Sequence, residues 1–536
     1  MLGAPRRGRL LLRERVRHDG ALLAALRQRA RRSLPRTESR AAPTARAALA
    51  PHPRARSGYA GSRPAWRHGA PLSSRPGECG LRVGRADRGP RTHGRGRRDR
   101  DRRTGRGRDA PRLWLAPRRA GSRVSPHAVA KGAALLAQIG AATRARTRLA
   151  GRPLSETVVA LGAAAARWCE DAELTRALPA LGRFSPAMVA ALLPLVGEAL
   201  DPAAMTELVE RELGPGAAAR PAPIDVALVA HVLASNVPAL ALPAIALACL
   251  AGAAVVVKSG RDDPLSASAF QRALAAVDPE LAATVVTVYW PGGDPVHEEI
   301  LLATADVAVL TGSEPALASL ARRVRGRLVT HGPRLSVAAV GRDALEETER
   351  VADALALDVA LYEQRGCLSP RAVYVETGGR LAPRDFAERL AAALDTLAER
   401  LPPAPASVEE RAAARLLRTG AEWAPGTAVM AGPGGTVVYD DDLAFRPTTA
   451  ARSLRVHPIR SLDTLPALLP SAQIECVGLA GRDPQALVPA LRERGVSRLC
   501  PPGRMQRPPL TWPRGQQAPL GALLGHPGTP RCEVET

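Results

Sequence analysis

Lysine and asparagine are almost absent from this chain: every basic residue except Lys131 and Lys258 is arginine, and Asn236 is the only asparagine. Both residue types use A-rich codons, so a GC-rich coding sequence explains the shortage, and a residue that survives such a bias stands out as one whose chemistry is needed. Cysteine is sparse and scattered, at 79, 169, 249, 367, 476, 500 and 532, with no C-x-x-C pair and no histidines at zinc-type spacing. That excludes a disulfide scaffold and a zinc module, so no metal is expected, and it predicts a reducing, cytoplasmic setting. A secretory signal is not expected either, because Arg6, Arg7 and Arg9 precede only the short Leu10–Leu12. The one uncharged stretch of membrane-spanning length, the 21 residues 237–257, contains Pro238, Pro243 and Gly252 and ends in Val255–Val257. It reads as a buried helix, a turn and a buried strand, and no membrane span is expected.

What is abundant is unevenly spread. The chain has 536 residues, 46% of them hydrophobic, enough for several packed units. Its net charge of +24 belongs to one segment: residues 1–125 carry 34 basic and 8 acidic side chains, residues 126–536 carry 41 and 43. The first segment is rich in Arg, Gly, Pro and Ser and has no helical or strand periodicity beyond Leu22–Leu26, so it is expected to be disordered. Two origins fit it: a tail that binds RNA or DNA by phosphate neutralisation, or a GC-rich frame read from upstream of its start. The lack of interleaved aromatics for stacking bases favours the second.

Residues 126–220 carry alanine-rich helical patterns (128–149, 154–168, 187–210) and predict a helical region. From 221 to 334, apolar runs at Val226–Leu233, Ala253–Val257, Thr284–Tyr289, Val307–Leu310 and Leu328–Thr330 alternate with helices that begin at Pro238, Pro264, Asp294 and Glu314. Strands separated by helices in this way predict an α/β fold with a doubly wound parallel sheet, the dinucleotide-binding architecture without its glycine fingerprint. A second α/β unit is expected over 335–450, with strands at Ser336–Val340, Ala372–Glu376 and Thr436–Tyr439. Its helix over 384–401 places Phe386, Leu390, Leu394, Leu397 and Leu401 on one side. Residues 451–523, with a strand at Ser453–His457 and a proline-rich stretch at 500–508, are expected to return and complete the fold, and 524–536 to form a frayed tail.

Four places carry residues suited to chemistry. Cys367, between Gly366 and Leu368-Ser369-Pro370, lies on an irregular loop entering a strand; it is placed to act as a nucleophile or is a buried structural thiol. Asn236, in Ser235-Asn236-Val237-Pro238 at the end of the first strand, can donate to an oxyanion in the ligand crevice or cap a local turn. Lys258-Ser259-Gly260 offers a cation and a hydroxyl to the ribose or 2′-phosphate of a nicotinamide cofactor, unless it is a solvated strand end. Thr311-Gly312-Ser313 closes the fourth strand and opens a helix, where backbone N–H groups can approach phosphate or nicotinamide.

Taken in this order and at these separations, Asn236-x-Pro, Lys258-Ser259, Thr311-Gly312-Ser313 and Cys367 resemble the aldehyde dehydrogenase superfamily. More narrowly, Gln364-Arg365-Gly366-Cys367-Leu368-Ser369-Pro370 and Gly503-Arg504-Met505-Gln506-Arg507-Pro508-Pro509-Leu510-x-Trp512-Pro513 look like the acyl-CoA reductase family of the LuxC type, the fatty acyl reductases of bacterial luminescence. The resemblance implies an aldehyde-dehydrogenase-like fold, a fatty acyl-CoA or acyl-protein thioester as substrate, a fatty aldehyde as product, NADPH as cofactor and a homo-oligomer. It assigns Cys367 as nucleophile, Asn236 with the Cys367 N–H as oxyanion donors, and Lys258, Ser259, Thr311, Gly312 and Ser313 as cofactor contacts. Hydrolytic members of the superfamily carry a water-activating Glu; the stretch Thr330-His331-Gly332-Pro333-Arg334 has none, which fits reduction. A second, ribose-binding Glu has no match near Leu454-Arg455-Val456-His457-Pro458. His331 and Arg365 are the sequence's candidates for activating the thiol, and Glu363 is one or is structural. Two further readings stand beside the reductase: oxidation of an aldehyde to acyl-CoA by the same residues, and a nucleic-acid-binding protein whose dehydrogenase-like part is inactive and whose activity resides in residues 1–125.

Overall fold

Short valine-rich runs that are apolar on both sides need cover on both sides. The computed structural model, which describes residues 126–535 apart from 239, 482 and 527, shows them covered in this way. Strands β1 (Leu228–Val232), β2 (Ala254–Lys258), β3 (Val285–Val288), β4 (Val307–Thr311) and β5 (Arg327–His331) form an all-parallel sheet in the order β3-β2-β1-β4-β5. Leu228, Ala230, Ala254 and Val256 pack against Leu135 and Ile139 of the helix Pro126–Arg148. Val229, Val255, Val257 and Val309 face the opposite layer, with Leu242 and Ile245 of the helix Ala241–Leu250. The strand order reverses between β1 and β4, which opens a crevice at their C-terminal ends. The Arg-rich segment expected over 1–125 lies outside the described residues.

The uncharged 237–257 run becomes a buried helix, a turn at Gly252 and β2; a Cβ on Gly252 would stand 2.2 Å from the Pro223 carbonyl oxygen. Among the described residues no single helix is long and apolar enough to cross a membrane. The helical pattern over 187–210 divides into Pro186–Glu198 and Pro202–Leu213, because Asp201 caps the second helix through the Ala204 N–H (2.9 Å) and Pro202 cannot continue the first. Trp168, fully buried, docks the helix Leu154–Cys169 on the first sheet's cover by donating to the Ser266 carbonyl at 3.1 Å.

The second sheet contains β6 (Leu335–Val340), β7 (Pro370–Glu376), β8 (Thr427–Ala431), β9 (Thr436–Asp440), β10 (Ser453–Ile459), β11 (Ile474–Ala480), β12 (Arg498–Cys500) and β13 (Glu533–Val534). Their order is β13-β12-β11-β6-β7-β10-β9-β8, with β8 alone antiparallel, against β9. Residues 451–523 return to this sheet, with β10 between β7 and β9 and β11 beside β6. One expectation changes here. The end of the chain does not fray: the Glu533 and Glu535 N–H groups donate to Ser497 and Leu499 (2.8 and 2.9 Å), and Glu533 and Glu535 pair with Arg211 and Arg498.

Candidate active site

The segment between the helix Thr348–Ala360 and β7 must turn sharply, and it carries Cys367 at its outer bend. The Ser369 N–H closes on the Gly366 carbonyl at 3.3 Å, and the Ser336 hydroxyl on β6 donates to the Cys367 carbonyl at 2.8 Å. From the far end of the chain, the Gln506 amide donates to the Ser369 hydroxyl (2.8 Å) and the Asp358 carbonyl (3.0 Å). Gly366 packs closely beneath it: a Cβ there would stand 3.3 Å from Gln506 Oε1.

Cys367 is partly buried and borders two cavities. One, of about 210 Å³, is apolar. Its floor is the β1-β4-β5 face carrying His231, Val309, Thr311, Val329 and His331, and its walls are Leu195 and Val196, Ala244 and Leu247, Tyr362, and Pro508, Leu510 and Trp512. The other, of about 820 Å³, opens over the strand ends and is rich in cations: Lys258, Arg261, Arg323, Arg334, Arg371 and Arg514. Asn236, Lys258, Thr311, Gly312, Ser313 and Cys367 all line this second cavity. Asn236 donates one amide hydrogen to the Arg365 carbonyl at 2.8 Å, two residues from the thiol, and its second N–H remains for another acceptor. Ser259 departs from the expectation. Its side chain is buried between Lys258 and Gly260, because successive residues of a strand face opposite ways. Leu454–Pro458 lies within β10, inside the second sheet, and lines neither cavity.

Burial pushes the Cys367 thiol above its ordinary value; Arg514 pulls it down, Glu475 pushes it up, and Arg334 opposes more weakly. Arg365 is not the activating cation. It is held by the Gly182 carbonyl (2.9 Å), by Glu410 (3.1 Å) and over the Phe184 ring. Glu363 is structural, in a buried ion pair with Arg452. Burial, with Arg514, His231 and Arg334, holds His331 well below the usual imidazole value, so it is neutral. Burial also lowers His231 to about 4. Sequence reasoning missed Arg514, Arg334 as a charge near the thiol, and Gln506; only the Gly503–Pro513 motif pointed to that part of the chain.

This architecture, two parallel sheets with a cysteine loop facing the switch point of the first, defines an aldehyde dehydrogenase fold. Aldehyde dehydrogenase 21 from Physcomitrella patens, in complex with the reaction product succinate, matches it with a TM-score of 0.59 at 15% identity over 74% of this chain and 89% of its own. An NAD-dependent benzaldehyde dehydrogenase from Corynebacterium glutamicum matches with a TM-score of 0.55 at 16% identity over 70% and 86%. Within that class, the model of the acyl-CoA reductase (LuxC) family matches residues 149–515, and the chain belongs to this family. A long-chain acyl-protein thioester reductase from Vibrio harveyi is 23% identical over 281 residues, 51% of this chain and 58% of that protein. The matched region thus spans little more than half of that relative's length.

Proposed function

We propose that the protein reduces long-chain fatty acyl thioesters, of coenzyme A or of an acyl-protein, to fatty aldehydes through an S-acyl intermediate on Cys367, with NADPH as cofactor. The observation that carries this reading is the place of Cys367 where an apolar cavity meets a cation-lined one. An acyl chain suits the first. Lys258, Arg261 and Arg323, with the helix Glu314–Ala321 whose N-terminus has no side-chain cap, suit the phosphates of a nucleotide in the second. The names of the Vibrio harveyi and Aliivibrio fischeri relatives support a long-chain thioester as substrate. All six described cysteines are free, which agrees with a cytoplasmic site of action. A homo-oligomer is carried over from the family.

In the first step the Cys367 sulfur bonds to the thioester carbonyl carbon, with the Asn236 N–H and the Cys367 N–H directed at the developing oxyanion. The C–S bond to the donor then breaks, and the thiol proton leaves with the released donor thiol. NADPH supplies a hydride to the acyl carbon when bound. The thiohemiacetal alkoxide so formed would collapse to the aldehyde as its C–S bond breaks, and the Cys367 sulfur would leave as a thiolate that takes up a proton from solvent.

The test follows NADPH oxidation and aldehyde formation by the full chain with tetradecanoyl-CoA, beside Cys367→Ala. The parent is expected to form aldehyde and release coenzyme A, and the variant to do neither. Full reductase activity in Cys367→Ala would refute the assignment.

A further inference from the structure

Two facing turns hold non-glycine residues in left-handed backbone: Tyr362, Glu363 and Gln364 at φ 56°, 53° and 57°, and Arg452 at φ 45°. L-residues avoid this region, and a run of three does not hold itself there. The holding contacts are explicit. Glu363 and Arg452, each 3% exposed, meet twice, Nε to Oε2 at 2.9 Å and Nη2 to Oε1 at 3.0 Å. The Ala404 N–H also reaches Glu363 (3.2 Å), and Arg452 also donates to the Leu401 carbonyl (2.8 Å). On the next residue, the Gln364 amide donates to the Pro370 and Ser453 carbonyls (both 2.8 Å) and accepts from the Ser453 N–H (2.7 Å). Residues 363–364 are thus bound to 452–453 at two successive positions, and Gly366-Cys367 is what leaves the turn. A buried ion pair is a poor source of stability compared with apolar packing, but it fixes one geometry.

We infer that Glu363 and Arg452 are positioning residues for the nucleophile: their clasp, reinforced by Gln364 on Ser453, holds the left-handed turn that sets Cys367 at the junction of the two cavities. The inference rests on Cys367 being the nucleophile, as proposed above. A relaxed turn would swing Cys367 away from Asn236, whose amide is tied to the Arg365 carbonyl of the same loop.

Removing one partner alone strands a buried charge and threatens the fold, so the test replaces both with apolar side chains of similar length, Glu363→Met with Arg452→Met, in the full chain. Single-turnover coenzyme A release with tetradecanoyl-CoA reads acylation, NADPH fluorescence titration reads cofactor affinity, and thermal melting reads the fold. The double variant is expected to melt near the parent and bind NADPH equally well, while acylation falls about 100-fold, the cost of a misplacement of about 1 Å. Acylation within about threefold of the parent in the folded double variant overturns the inference. A second variant, Glu363→Asp, keeps the charge and shortens its reach; slowed acylation with unchanged NADPH affinity supports the clasp, and parent-like acylation overturns it. The two proposals fail differently. Parent-like acylation in the clasp variants with an inactive Cys367→Ala sinks the inference alone, whereas full turnover by Cys367→Ala sinks the nucleophile and the clasp's role together.

Discussion

If the apolar cavity takes the acyl chain, filling it must penalise long chains and spare short ones. Ala244 is the place to fill it: it lies on the helix Ala241–Leu250, is 6% exposed and lines the cavity beside Leu240 and Leu247. Phenylalanine there keeps the helix, at a propensity cost of about 0.5 kcal/mol, and sends a ring into the space. Each buried methylene contributes about 0.8 kcal/mol. A ring that displaces four methylenes of a tetradecanoyl chain therefore costs about 3 kcal/mol, roughly 200-fold in kcat/KM. Butanoyl-CoA, whose carbons stay near Cys367, should be turned over within about threefold of the parent. The assay compares kcat/KM for butanoyl-, decanoyl- and tetradecanoyl-CoA in parent and Ala244→Phe. An unchanged preference for tetradecanoyl-CoA would refute the reasoning, since the chain would then lie elsewhere, the larger cavity included.

If Asn236 is the oxyanion donor proposed above, Asn236→Ala should slow acylation by about 10²–10³-fold while NADPH affinity stays, read by single-turnover coenzyme A release and cofactor titration. Because burial holds the Cys367 thiol above its ordinary value, the thiol is protonated at neutral pH. The acylation rate should climb about tenfold per pH unit from neutrality and still be rising at pH 9. Arg514→Gln, which removes the strongest downward pull on that thiol, should displace the rise to higher pH; a plateau already reached near neutrality would contradict the burial argument.

The first sheet was readable because its strands are apolar on both faces and alternate with helices, although the helices expected at Pro238 and Pro264 start at Ala241 and Ser266. Asn236, Lys258, Thr311 and Cys367, singled out by order and spacing, line one cavity. Ser259 was misjudged by attending to type and neglecting the alternation that turns it inward beside Lys258. β11 and β12 escaped notice for a different reason: each buries a charge, Glu475 and Arg498, and a strand containing a charged residue does not look like a core strand. Those charges are met by partners well removed in sequence, the Gly515 N–H for Glu475 and the Glu535 carboxylate for Arg498. β13 is two residues long, and only its neighbours define it. Arg514 reaches the thiol's surroundings by tertiary folding alone, which no local pattern records.

The acyl enzyme proposed on Cys367 would have to outlast the arrival of hydride, and the charges around it bear on that. The apolar cavity has no carboxylate in its lining, and the larger one has only Asp262 and Glu298. Glu298 is buried, accepts the Gly293 N–H at 2.8 Å and faces Arg323 at 3.4 Å. Glu475, whose charge is felt at the thiol, is engaged by the Ser497 hydroxyl, the Gly515 N–H and, at 3.7 Å, Arg334. Asp262 lines the larger cavity only, and the imidazole of His331 is the base that borders both. Its depressed pKa makes it a weaker base than free histidine, and a weaker base abstracts a proton from water less readily. On the proposed mechanism, the burial that suppresses the thiolate before acylation would also suppress hydrolysis after it, so a slower first step would accompany an intermediate that waits for reduction.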